Sequence, residues 1–162
     1  MIENKITTSY YESNFSILKN RDRDLIIKAV ESLKSAYAPY SGFLVGCSLY
    51  LENGEIISAN NQENVAYPSG LCAERVGIFY AGSKFPNVKI NTIAISAISR
   101  KFQIEDFVSP CGACRQSIAE YEVKQEEGIR ILLHQPDDSV LIFNSISDLL
   151  PLMFTSKDLK SF

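Results

Sequence analysis

The chain has 162 residues, 46% hydrophobic and 22% charged, with a formal net charge of -3. That length suits one domain whose core holds without disulfides or a structural metal, and the acidic balance argues against a polynucleotide partner bound through broad positive charge. No apolar run approaches the ~20 residues that span a bilayer, and "MIENKITTSYYESNF" lacks an apolar stretch of the secretory kind, so a cytoplasmic protein with no membrane partner and with reduced thiols is expected.

Residues 1–20 are polar, with aromatic residues at no fixed period. They read as an N-terminal extension lying against a domain that fills residues 21–162. From Asp22 onward, Leu25, Ile26, Ala29, Val30 and Leu33 share one helical face, and Pro39 ends that helix near Tyr37. "FLVGCSLYL" reads as a strand, "ENG" as a turn and "EIISA" as the hairpin partner. A polar loop, "NNQENVAYPSG", precedes the helical "LCAERVGIFYA", which Gly82 is placed to cap. "INTIAISAI" has the composition of a buried strand. Ser109 and Pro110 have the form of an N-cap with proline at the first helical position, opening a helix through Cys114, Ile118 and Tyr121. "IRILLH" and "SVLIF" are strands joined by "QPDD", and "ISDLLPLMF" makes one helical turn and a proline-broken tail. Such alternation predicts an α/β domain with helices on a mixed sheet, with no internal repeat.

Three of the four cysteines sit in two short motifs, "CAER" at Cys72 to Arg75 and "SPCGACRQ" at Ser109 to Gln116. Both motifs fall near predicted helix beginnings, where partial positive charge and free N–H groups favour thiolates, the form that binds zinc. Three sulfur ligands leave one tetrahedral position for water, the arrangement of a catalytic zinc. Glu74 would then exchange protons with that water. Residues two apart do not face one way on a regular helix, so Cys72 is expected at an irregular first turn. Three thiolates outweigh the two charges of zinc, and Arg75 is placed to donate to the sulfurs and relieve the excess.

Taken alone, Cys-x-x-Cys is compatible with a redox pair as well as with a metal site. A structural zinc would need a fourth ligand. Cys47 lies mid-strand as a small core hydrophobe, and His134, the only histidine, ends a strand beside a turn. Neither supplies that ligand convincingly, so the set of residues favours catalytic zinc.

Cys72-Ala73-Glu74 followed by Pro110-Cys111-Gly112-Ala113-Cys114 resembles the zinc-dependent nucleobase deaminases. The chain is most similar to the small homotetrameric cytidine deaminases. That resemblance extends to "AYAPYSGFLVG", "NQENVAYPSGLCAER" and "DLLPLMF", and runs in order from about Leu25 to Leu159. It implies a three-layer α/β/α fold on a mixed five-stranded sheet. It also implies hydrolytic deamination of cytidine and deoxycytidine in pyrimidine nucleoside salvage. By the same resemblance, Cys72, Cys111 and Cys114 hold one Zn2+ per chain, and water activated there attacks C4 of cytosine. Glu74 protonates N3 and then the leaving amino group. Asn61 and Glu63 match a pair that grips the sugar 3′-hydroxyl, and Phe43 an aromatic that packs on the pyrimidine. Ala73 and Ser109 would offer backbone groups to the base, with Arg75 and Gln116 supporting the site from behind. Tyr67 and Phe154 would reach a neighbouring subunit's site in a homotetramer. Read as residues alone, Phe43 and Phe154 fit a core position and a folded-back tail.

Cys47-Ser48 stands where small alanines are common in the family, and Leu152-Met153 replaces a small pair before Phe154. The nearest rival is a deaminase of a cytosine-bearing antibiotic, the blasticidin-S type, which shares the zinc motifs. "CAER" and the "NQEN" loop favour cytidine. From another class, a non-catalytic zinc module would need neither Glu74 nor a sugar-gripping loop.

Overall fold

Alternation along the central strands sorts their side chains onto two faces, and each face is covered by helix. A computed structural model describes residues 1–155. The remainder of the expected domain, with Leu159 where the resemblance stops, lies outside the described residues. In chain order the elements are β1 (Tyr11–Asn14), α1 (Asn20–Ser32), β2 (Phe43–Leu51), β3 (Ile56–Asn60), α2 (Ala73–Lys84), β4 (Ile90–Ser99), α3 (Gly112–Gln125), β5 (Arg130–His134) and β6 (Ser139–Phe143). The strands form one sheet in the order β1-β6-β5-β4-β2-β3. Only β4 and β5 run parallel, joined through α3, and the other pairings are antiparallel.

On one face, Ala94, Leu132, Val140 and Ile142 meet Leu25, Ile26 and Ala29 of α1. On the other, Leu49, Ile93, Ile95, Ile131 and Leu133 meet Ile78 and Ala81 of α2 and Ile118 of α3. Three layers result, as expected. The sheet has six strands rather than the expected five, because part of the predicted extension becomes β1. Its residues Tyr11 to Asn14 pair with Ile142 to Ser139, and Tyr10 packs its ring on Phe143 with centroids 5.6 Å apart. "YESN" shows no apolar alternation because it is an exposed edge held by backbone pairing, so its composition hid it.

Three predicted helix boundaries also move. α1 ends at Ser32 and tightens into a 3-10 turn over Leu33–Ser35, short of the expected Tyr37. Gly82 does not cap α2 but lies inside it, where an added Cβ would stand 2.1 Å from Tyr121 Oη. Ser109 and Pro110 do not open α3, whose N-cap is Cys111. Close approach explains the glycine, and the extended backbone of Cys111, φ -65° and ψ 165°, sets the later helix start.

Gly46 marks the tightest contact between sheet and α1. An added Cβ there would lie 1.9 Å from the Ala29 carbonyl oxygen and 2.6 Å from Ser32 Oγ. Ser32 Oγ itself lies 2.8 Å from both Ala29 O and Ala59 O and shares its one hydrogen between them, so it has little room to retreat. Gly46→Ala is therefore expected to lower unfolding stability by about 3 kcal/mol, read by urea denaturation. A loss below about 0.5 kcal/mol, the range of ordinary surface changes, would contradict this packing.

Candidate active site

Two helix beginnings meet at the thiol cluster. Cys72 caps α2 in extended conformation, φ -70° and ψ 155°, and Cys111 caps α3 at φ -65° and ψ 165°. Cys114 sits in the first turn of α3 and is fully buried. Its Sγ lies 3.5 Å from that of Cys111, which lies 3.7 Å from that of Cys72. All three sulfurs are within 4.8 Å of one another. Sulfurs bonded at ~2.3 Å to one tetrahedral zinc stand about 3.8 Å apart, so the cluster matches the ion in donor type and spacing. Among the described residues, no other group of this kind was found.

Because Cys72 is extended and not yet helical, Glu74 turns to the same side as the sulfurs despite the two-residue spacing. Glu74 is only 4% exposed. Its Oε2 and the Nε of Arg75 are the buried side-chain polar atoms without a hydrogen-bond partner among the described residues. Buried polar groups are almost always paired, so an orphaned carboxylate oxygen beside three thiols marks a place for something to bind or react. Burial, aided by the Cys72 charge, pushes the Glu74 carboxyl up to about 7. The hydrogen bond from Cys114, with help from the Arg75 guanidinium, brings the Cys72 thiol down to about 5. Hydrogen bonding to Cys72 and burial push Cys114 the opposite way. Cys47 lies in the core with its thiol raised by burial, which suits a packing residue.

Cys72, Glu74, Arg75 and Cys111 open into a cavity of about 960 Å³, also lined by Phe43, Asn61, Glu63, Tyr67 and Ser109. Asn61 is tied to β2 like an extra strand: its Oδ1 accepts from Val45 N at 2.8 Å, and its Nδ2 donates to Phe43 O at 2.9 Å. One amide hydrogen is left over. Glu63 Oε2 accepts from the amides of Tyr40 at 2.9 Å and Ser41 at 3.3 Å, while Oε1 accepts from Ser41 Oγ. The Ser41 hydroxyl and the two amides hold the Glu63 carboxyl below its usual range, and Oε1 keeps a free lone pair.

Ala73, the first residue of α2, is fully buried and, unlike Cys72 and Glu74 on either side of it, stands outside the cavity lining. Tyr67 is 91% exposed although it borders the cavity. Phe154 is 71% exposed and stands outside the lining. Gln116 donates its amide to the Phe154 carbonyl at 2.8 Å, which anchors the tail on α3. Sequence reasoning missed Ser41, whose hydroxyl and amide hold Glu63; its "PYSG" turn composition was the available signal. It also missed Arg115, which donates from Nε to Pro110 O at 2.8 Å and from Nη1 to Leu149 O at 2.7 Å. Arg115 thus joins the second thiol motif to the tail.

Residues 19–126 match the family model described as "Cytidine and deoxycytidylate deaminase zinc-binding region". The chain is 34% identical over 147 residues to the cytidine deaminase of Halalkalibacterium halodurans, spanning 85% of this chain and 98% of that protein. It is 28% identical to a blasticidin-S deaminase of Bacillus cereus, over 85% of this chain and 95% of that one. Among solved structures, cytidine deaminase from Burkholderia pseudomallei superposes with a TM-score of 0.71 at 30% identity, over 85% of this chain and all of that one. With its thiol cluster, its buried carboxyl and these relatives, the chain belongs to the cytidine and deoxycytidylate deaminase family.

Proposed function

We propose that the chain hydrolyses cytidine and deoxycytidine to uridine and deoxyuridine, releasing ammonia, as a cytoplasmic enzyme of pyrimidine nucleoside salvage. The observation that carries this reading is the orphaned Glu74 oxygen, buried beside three sulfurs at a cavity roomy enough for a nucleoside. Cys72, Cys111 and Cys114 hold one zinc, which supplies Lewis acidity that makes water nucleophilic near neutral pH. Glu74 takes a proton from the attacking water and delivers it to N3 of the cytosine ring. It then takes the second proton from the oxygen newly bonded to C4 and delivers it to the departing amino group. A carboxyl held near neutrality serves both transfers, since it neither grips nor refuses a proton strongly at that pH. Arg75 offsets the excess thiolate charge.

Phe43 packs flat on the pyrimidine, and backbone groups of Ala73 and Ser109 orient the base. The spare Asn61 hydrogen and the open Glu63 lone pair together fit a hydroxyl that accepts from one and donates to the other. Such a pair grips a sugar 3′-hydroxyl, which cytidine and deoxycytidine share. The exposed Tyr67 and Phe154 rings suit a homotetramer in which they complete neighbouring pockets. No helix among the described residues is long and apolar enough to cross a membrane.

A substrate panel of cytidine, deoxycytidine, cytosine, CMP and blasticidin S tests the assignment, with ammonia as the readout. Both nucleosides are expected to react well and blasticidin S poorly. Preferential turnover of blasticidin S would install the antibiotic-deaminase reading, which the Bacillus cereus relative motivates. Glu63→Ala is expected to lower cytidine kcat/KM by about tenfold to a hundredfold, the loss of one hydrogen bond to a charged group. Unchanged kcat/KM would remove the sugar-gripping role.

A further inference from the structure

The turn between α1 and β2 carries both Phe43 and the groups that hold Glu63. Residues just beyond β4 grip this turn from outside the cavity. Arg100 N donates to Gly42 O at 2.9 Å. Lys101 Nζ donates to the Tyr40 carbonyl at 2.7 Å, and Ser99 Oγ accepts from the Lys101 amide at 3.1 Å. The Phe102 ring stacks on Phe43, with centroids 6.2 Å and planes 22° apart. Gly42 adopts φ +71°, a conformation that favours glycine, and an added Cβ would lie 3.2 Å from Lys101 Cε. The lysine stem therefore crosses the turn where a side chain would crowd it.

Tyr40 is held from two sides: its carbonyl by Lys101, its amide by Glu63. We propose that Arg100 to Phe102 form a positioning strap, with Lys101 fixing the Tyr40–Ser41 amides that aim Glu63 and Phe102 fixing the plane of Phe43. This inference rests on the deaminase reading for the use of those two residues. Neither Lys101 nor Phe102 borders the cavity, so both act through another side chain. The benefit is preorganisation: Glu63 and Phe43 lose less freedom when a nucleoside arrives, which strengthens binding more than it changes the chemical step.

Two substitutions separate positioning from mere structural support. Lys101→Met keeps the stem over Gly42 and deletes the donor. Phe102→Ala deletes a ring that is 58% exposed, leaving no core cavity. Each is expected to raise cytidine KM by about three- to tenfold, with kcat much less affected, and Phe102→Tyr to restore it. Lys101→Met is also expected to speed hydrogen exchange at the Tyr40 and Ser41 amides by about tenfold, with α2 amides unmoved. Unchanged KM and unchanged exchange overturn the strap, as does a lower Tm with KM intact. If the unmodified chain turns over neither cytidine nor deoxycytidine, the deaminase reading falls. Exchange at Tyr40 and Ser41 in Lys101→Met then decides by itself whether the strap holds the Glu63 clamp.

Discussion

Glu74→Gln is expected to lower kcat for cytidine by about 10³-fold, within the span of lost general acid–base catalysis, while zinc stays near one per chain. Glutamine nearly matches glutamate in size, so the buried position at the start of α2 stays filled. The amide cannot pick up a proton and deliver it to N3 or to the leaving nitrogen. The folded chain loses little by the exchange, because the carboxyl it replaces is desolvated and has an oxygen without a partner. Turnover of cytidine and metal content measured on one preparation check the claim together. Activity within tenfold of the unmodified enzyme would strip Glu74 of its proton-carrying role, whereas lost zinc would recast it as a structural support for the sulfurs.

The thiol cluster was legible from residue types and spacing because metal chemistry restricts both, and the structure brings Cys72, Cys111 and Cys114 together as that spacing suggested. The helices and most strands were equally legible, since burial on one or both faces writes a period into the sequence. What stayed hidden depends on partners distant in the chain. β1 is an edge strand whose four residues gain order from backbone pairing with β6, and pairing leaves no compositional trace. Gly82 looks like a cap until Tyr121 is placed against it. Lys101 and Phe102 sit in an unpatterned loop and acquire meaning only when the α1–β2 turn folds beneath them. Glu63 could be singled out by its motif, but Ser41 and the two amides that aim it belong to a turn 22 residues earlier.

Cys111→Ser is the substitution that isolates the metal from the fold. Cys111 is exposed whereas Cys114 is buried in the core, so changing the former removes a sulfur without opening a cavity. The core of Leu49, Ile93, Ile131 and Ile118 includes none of the three sulfurs, and the zinc-free chain is therefore expected to remain folded. Zinc content should drop well below one per chain after dialysis against a chelator, and cytidine turnover should fall by at least about 10²-fold. The affinity that remains should weaken further in acid. Thiols must surrender protons to bind zinc; Cys72 sits near 5 and is already a thiolate at neutral pH, whereas Cys114 holds its proton well above the ordinary thiol range. Falling pH thus restores protons to the ligands and releases the ion, in the variant at a higher pH than in the unmodified chain. Metal analysis across a pH series, with circular dichroism as the control for folding, gives the answer. Full zinc and full turnover in chelator-dialysed Cys111→Ser would mean that this sulfur is not a ligand.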